Sequence, residues 1–85
     1  MRLPWKRTSH HITLYGKPGC HLCEDALVLL RKIQRRRLLD IEEIDITTDR
    51  DLFRRYDIRI PVIVIDDSVE LEAPISEKNL RAALS

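Results

Sequence analysis

Apolar residues in this chain change their spacing from segment to segment, between the two-residue period of a strand and the period of about 3.6 of a helix. His11 to Tyr15 is rich in β-branched and aromatic residues and reads as a strand; Gly16 to Gly19, with Pro18 and two glycines, reads as a turn. From Cys23 onward, Cys23, Ala26, Leu27, Leu30 and Ile33 recur at helical spacing while Glu24, Arg31 and Arg35 fall towards another face, which predicts an amphipathic helix. Glu24 and Asp25 in its first turn and Arg35, Arg36 and Arg37 at its end match the sign of the helix dipole.

The second half repeats the alternation. Ile41 to Ile46 mixes isoleucines with acids imperfectly but reads as a strand, and Thr48 or Asp49 can cap a short helix carrying Leu52, Phe53 and Tyr56 inward. Val62 to Ile65 is a continuous apolar run, as expected for a strand buried on both faces; Asp66-Asp67-Ser68 then turns the chain into Val69 to Glu72, a hairpin. Ser76 suits the N-cap of a last helix, with Ile75 stapled onto Leu80, and Leu80, Ala83 and Leu84 on its buried stripe. The order is β-α-β-α-β-β-α, an α/β class. A strand-helix-strand opening favours a right-handed parallel crossover, and the hairpin completes a four-stranded mixed sheet with flanking helices.

Length and charge narrow the function. At 85 residues the chain holds one domain, assigned to residues 10–85, after a leader over 1–9 in which Trp5 and its basic neighbours form either a frayed terminus or a docking arm. Charged residues make up 34% but nearly cancel to a net +1, so a nucleic-acid partner is not expected. The triple arginine reads as a solvated helix end or as a contact for phosphate or an acidic partner. No apolar run reaches signal-peptide length near Met1 or the roughly 18 residues of a membrane helix, so a cytoplasmic monomer with no membrane partner is expected.

The candidate chemistry sits in Cys20-His21-Leu22-Cys23, the only two cysteines of the chain. Residues i and i+3 in the first turn of a helix lie on one side of the cylinder, which permits a disulfide. A loop this short cannot staple distant segments, so its use is chemical rather than structural.

Tyr15-Gly16-Lys17-Pro18-Gly19-Cys20-His21-Leu22-Cys23 at a strand-to-helix junction, with Ile60-Pro61 opening the third strand, resembles the glutaredoxin-like branch of the thioredoxin fold along about residues 10 to 85. The resemblance implies a thiol–disulfide oxidoreductase that reduces protein or glutathione mixed disulfides. No tightly bound cofactor is expected, glutathione enters as a co-substrate, and a glutathione or thioredoxin-type system restores the dithiol.

Cys20, at the positive end of the helix dipole, is the expected nucleophile, and Cys23, one turn deeper on the apolar face, the resolving thiol. Lys17, and His21 when protonated, favour the thiolate while Glu24 and Asp25 oppose it, so the Cys20 pKa is expected to fall only moderately below that of a free thiol. By resemblance, Lys17 also meets a carboxylate of glutathione, and Pro61 follows a cis bond that exposes the backbone of Ile60 to an extended substrate. Arg59 offers a further carboxylate contact or is simply solvated.

One departure bears on substrate. Glutathione-using relatives carry a paired glycine and an acidic residue after the hairpin, where this chain has Val69-Glu70-Leu71-Glu72-Ala73; side chains and carboxylates there hinder the tripeptide, and protein disulfides become a rival substrate. Two other functions compete. A metal or iron–sulfur module can use Cys20, His21 and Cys23, but a closed zinc site wants four ligands, and His10 and His11 lie about five residues away at roughly 3.3 Å each. The other is a non-catalytic interaction module, against which two intact cysteines argue.

Overall fold

The structure, a computed structural model, describes residues 9–85, so the expected leader and Trp5 lie outside the described residues except for Ser9. The elements follow the expected order: β1 His10–Gly16, α1 His21–Gln34, β2 Leu39–Asp45, a 3-10 turn Ile46–Thr48, α2 Arg50–Tyr56, β3 Val62–Ile65, β4 Val69–Glu72 and α3 Glu77–Leu84. The sheet order is β2-β1-β3-β4, with β1 and β2 parallel and the other pairs antiparallel. This is a thioredoxin-like arrangement.

Strand alternation explains how the layers assemble. Ile12 and Leu14 of β1 and Ile63 and Ile65 of β3 turn to one face, where Ala26, Leu30 and Ile33 of α1 and Leu80 and Leu84 of α3 complete the larger core. Val62 turns to the other face and packs with Ile46 and Tyr56, backed by Tyr15, Leu52, Ile60 and Val64. The unbroken apolar run of β3 is thus the signature of a strand covered on both sides. The same logic accounts for the imperfect pattern of β2: Ile41 faces the larger core, while Ile46 has left the strand and is fully buried in the 3-10 turn capped by Asp45.

One local expectation needs correction, and one pair of alternatives is resolved. Phe53 does not point inward: it is 39% exposed, because the seven-residue α2 buries only Tyr56 fully and Leu52 in part. Asp49 rather than Thr48 caps α2, accepting the N–H groups of Asp51 and Leu52. The other caps agree, with Ser76 Oγ accepting the Asn79 N–H at 3.0 Å. Asp66 and Asp67 take φ of 53° and 57° in the β3–β4 turn, a left-handed region that Asp tolerates better than most residues.

That turn also anchors the start of β1. His10 Nδ1 donates to Asp66 Oδ2 at 2.6 Å and the His11 N–H to Asp66 Oδ1 at 2.8 Å, which holds the Asp66 carboxyl below its ordinary pKa. Hydrogen bonds from Arg81 and then Lys32 do the same for Glu77, and those from Thr47 for Asp45. Such carboxylates stabilise the fold above their unfolded pKa of about 4 and lose that contribution as pH falls through the lower folded value. His11 runs oppositely: its hydrogen bond to Asp40 raises its pKa, so its contribution is full below about 6.5 and lost as pH climbs through the raised value. Melting temperature is therefore expected to plateau between roughly pH 5 and 6 and to decline on both sides. Asp66→Asn should flatten the acid limb; an acid limb as steep as that of the parent protein would contradict this assignment.

Candidate redox site

β1 ends at Gly16, and a short loop carries the chain into α1. Gly19 takes a φ of +79°, which favours glycine, and the Cys20 N–H donates to the Lys17 carbonyl at 3.3 Å, closing the turn. Cys20 is the N-cap of α1 in extended conformation, and its Sγ accepts the Cys23 N–H at 3.2 Å. The sulfur thus takes one of the helix's unpaired donors at the positive end of the dipole, an arrangement that favours a thiolate once the bond is reduced.

Cys20 and Cys23 are joined by a disulfide with Cα atoms 5.2 Å apart. Cys20 is half-buried whereas Cys23 is 7% exposed, the asymmetry expected of an outer and an inner thiol. Gly16 explains how Cys23 sits so deep. A Cβ on Gly16 would lie 3.0 Å from both Cβ and Sγ of Cys23, so the residue expected only to turn the chain also makes room for the inner sulfur.

Ile60–Pro61 leads into β3. The bond is cis, as the resemblance implied, and Pro61 is fully buried. Pro61 shares a cavity of about 120 Å³ with Leu22, Asp25, Ala26 and Leu29 of α1 and with Ala73, Pro74 and Ile75. The Ile60 N–H, expected to face a substrate, instead donates to the Tyr56 carbonyl at 3.0 Å, so that half of its backbone is already used in ending α2. Ala73–Pro74 is a second cis bond, which nothing in the sequence reading signalled.

Two of the charged candidates, Lys17 and Arg59, are held by partners that sequence reasoning missed. Lys17 Nζ lies 3.4 Å from Asp57 Oδ1. Arg59 donates to Glu70 and, at 3.1 Å, to Glu72, and its guanidinium lies 5.3 Å from the centre of the Tyr56 ring, which stacks on Tyr15 at 4.4 Å. Burial beside Tyr56 raises the Tyr15 pKa. His21 is 94% exposed, with Nδ1 3.7 Å from Glu24 Oε1. Leu22 at 58% and Ile58 at 95% exposure are large apolar residues left open beside these groups.

A second opening flanks the cysteines, and the two histidines lie apart from them. On the β2 side, a cleft of about 350 Å³ runs between the Gly16–Gly19 loop, Cys23 and the carboxylates Glu24, Glu43 and Asp45. His10 and His11 sit at the opposite end of β1 from Gly16. Among the described residues, no group of three or more His, Cys, Asp or Glu is placed to hold a metal, and no helix is long and apolar enough to cross a membrane.

Fold and site together define a thioredoxin-like domain with a C-x-x-C disulfide at the start of its first helix. The chain belongs to the glutaredoxin-like family: the family model described as Glutaredoxin-like domain (DUF836) matches residues 11–85. Protein Ne2328 from Nitrosomonas europaea, solved in solution, is 30% identical over the whole of both chains with a TM-score of 0.78. The X-ray structure of target protein XcR50 from X. campestris is 32% identical, covering 86% of this chain and 93% of that one, with a TM-score of 0.72. No curated protein sequence matches the chain.

Proposed function

We propose that the domain is a thiol–disulfide oxidoreductase in which Cys20 attacks and Cys23 resolves. The observation that carries this reading is the half-buried Cys20 sulfur at the α1 N-cap, receiving the N–H of a buried Cys23 to which it is already bonded. In the reduced protein the Cys20 thiolate attacks one sulfur of a substrate disulfide; a Cys20–substrate bond forms and the other substrate sulfur leaves as a thiolate. Cys23, deprotonated, then attacks Cys20 Sγ, the internal disulfide forms, and the second substrate sulfur leaves. Two electrons pass to the substrate, and the protons of the protein dithiol end on the two released thiols.

The remaining candidates act by positioning. An extended substrate strand is proposed to lie against Ile60 and Pro61, pairing through the Ile60 carbonyl since the N–H is engaged. Leu22 and Ile58 offer apolar surface on either side, which favours a polypeptide over glutathione as the disulfide carrier. Lys17 and His21 flank the nucleophile with positive charge, His21 only when protonated. The same proposal takes the domain to act as a cytoplasmic monomer without a tightly bound cofactor, returned to the dithiol by glutathione or a thioredoxin-type reductase. The test is stoichiometric: the reduced domain, mixed anaerobically with excess oxidised insulin or glutathione disulfide, should lose both thiols as the acceptor gains two. Retention of both thiols with the protein disulfide would defeat the reading.

A further inference from the structure

The segment 57–61 forms one wall of the redox rim because it meets the redox loop and α1 at its two ends: Asp57 pairs with Lys17 at 3.4 Å, and Pro61 shares a cavity with Leu22. Arg59 lies midway. Its Nε donates to Glu72 Oε1 at 3.1 Å, its Nη2 donates to Glu70 Oε2, its Nη1 reaches the Arg55 carbonyl at 3.5 Å, and Tyr56 lies beneath it. Glu70 and Glu72 stand opposite Val64 and Val62 in the hairpin, two residues apart and therefore on one face of the sheet. A guanidinium is a planar fork suited to carboxylates, and here two carboxylates of the same chain hold the edges an incoming one needs. The wall and the loop facing it are balanced in charge: Lys17, Arg55 and Arg59 stand against Asp57, Glu70 and Glu72.

We propose that Glu70 and Glu72 determine specificity by occupying the Arg59 fork internally, turning away small carboxylate-bearing thiols and disulfides such as glutathione and leaving the rim to neutral or basic polypeptide segments that carry a disulfide. The side chains of Arg59 (28% exposed), Glu70 (42%) and Glu72 (54%) reach solvent, so a substrate carboxylate meets an occupied fork and not a buried one. As a statement about substrates this rests on the oxidoreductase reading; as a statement about binding it does not.

S-methylglutathione separates the two, since it keeps both carboxylates of the tripeptide and cannot exchange a disulfide. Its affinity is measured by amide chemical-shift titration of the oxidised parent protein, of E70Q/E72Q and of R59Q/E70Q/E72Q, each first checked for a cooperative thermal melt. The Kd should fall about fivefold or more in the double variant and return to within about twofold of the parent value in the triple variant. An unchanged Kd in the double variant overturns the proposal, and so does a triple variant that keeps the gain, because loss of negative charge would then act without the fork. Failure of the oxidoreductase reading would show elsewhere, as retained thiols in the protein-disulfide assay.

Discussion

Cys20→Ser should lower protein-disulfide reduction by at least about a thousandfold, because a hydroxyl at the α1 N-cap does not ionise near neutral pH and the first sulfur–sulfur bond to the substrate never forms. Cys23→Ser should behave differently. The outer thiol still attacks, but nothing within reach displaces the product, and the protein accumulates as a mixed disulfide. In the parent protein the second attack is intramolecular, between residues with Cα atoms 5.2 Å apart, and outruns any attack by a thiol from solution. Intact-mass spectrometry of Cys23→Ser after mixing with a small disulfide should therefore show close to one added substrate half per chain. Trapping by Cys20→Ser but not by Cys23→Ser would reverse the roles and refute the argument from burial.

Gly16→Val should lower the melting temperature of the oxidised protein by about 4–24 °C. Even the first added carbon would lie 3.0 Å from two Cys23 atoms that the disulfide and α1 hold in place. The two further methyls of valine can reach the cleft that Gly16 lines, but the branched Cβ itself stays pressed against Cys23. Overpacking of this kind costs about 1–3 kcal/mol, and in a domain of this size each kcal/mol moves the melting temperature by about 4–8 °C. Gly16→Ala is less decisive, since the lower backbone entropy of alanine returns about 0.5–1 kcal/mol. A valine variant melting at or above the parent temperature would show that Cys23 yields freely.

What could be seen in the sequence was what local chemistry determines. The apolar run Val62 to Ile65, the Ser76 cap, and the turn and cysteines between β1 and α1 each carry their cause within a few residues, and each stands where it was expected. Contacts between distant segments were hidden. Lys17 and Asp57 are 40 positions apart, and Arg59 finds Glu70 and Glu72 only once the β3–β4 register is known. Glu70 and Glu72 were read as obstacles to glutathione, but their hold on Arg59 was not visible. Gly16 was legible as a turn glycine; its contact with Cys23 depends on how closely α1 approaches β1. Phe53 misled because a helix of seven residues has room for few inward positions, and its hydrophobicity alone did not say which.

The two faces of the sheet divide labour in a way that bears on how such a domain can change over generations. Cys20 and Cys23 belong to α1, which is seated in the larger core through Ala26, Leu30 and Ile33. The segment proposed to meet a substrate, from Asp57 to Ile60, hangs from α2 and Tyr56 on the smaller one. Pro61 and Val62 form the narrow join between the two. Mutations that remodel the smaller core can therefore reshape that segment while the cysteine pair keeps its footing, so on the proposed function recognition and chemistry are separately heritable within 85 residues.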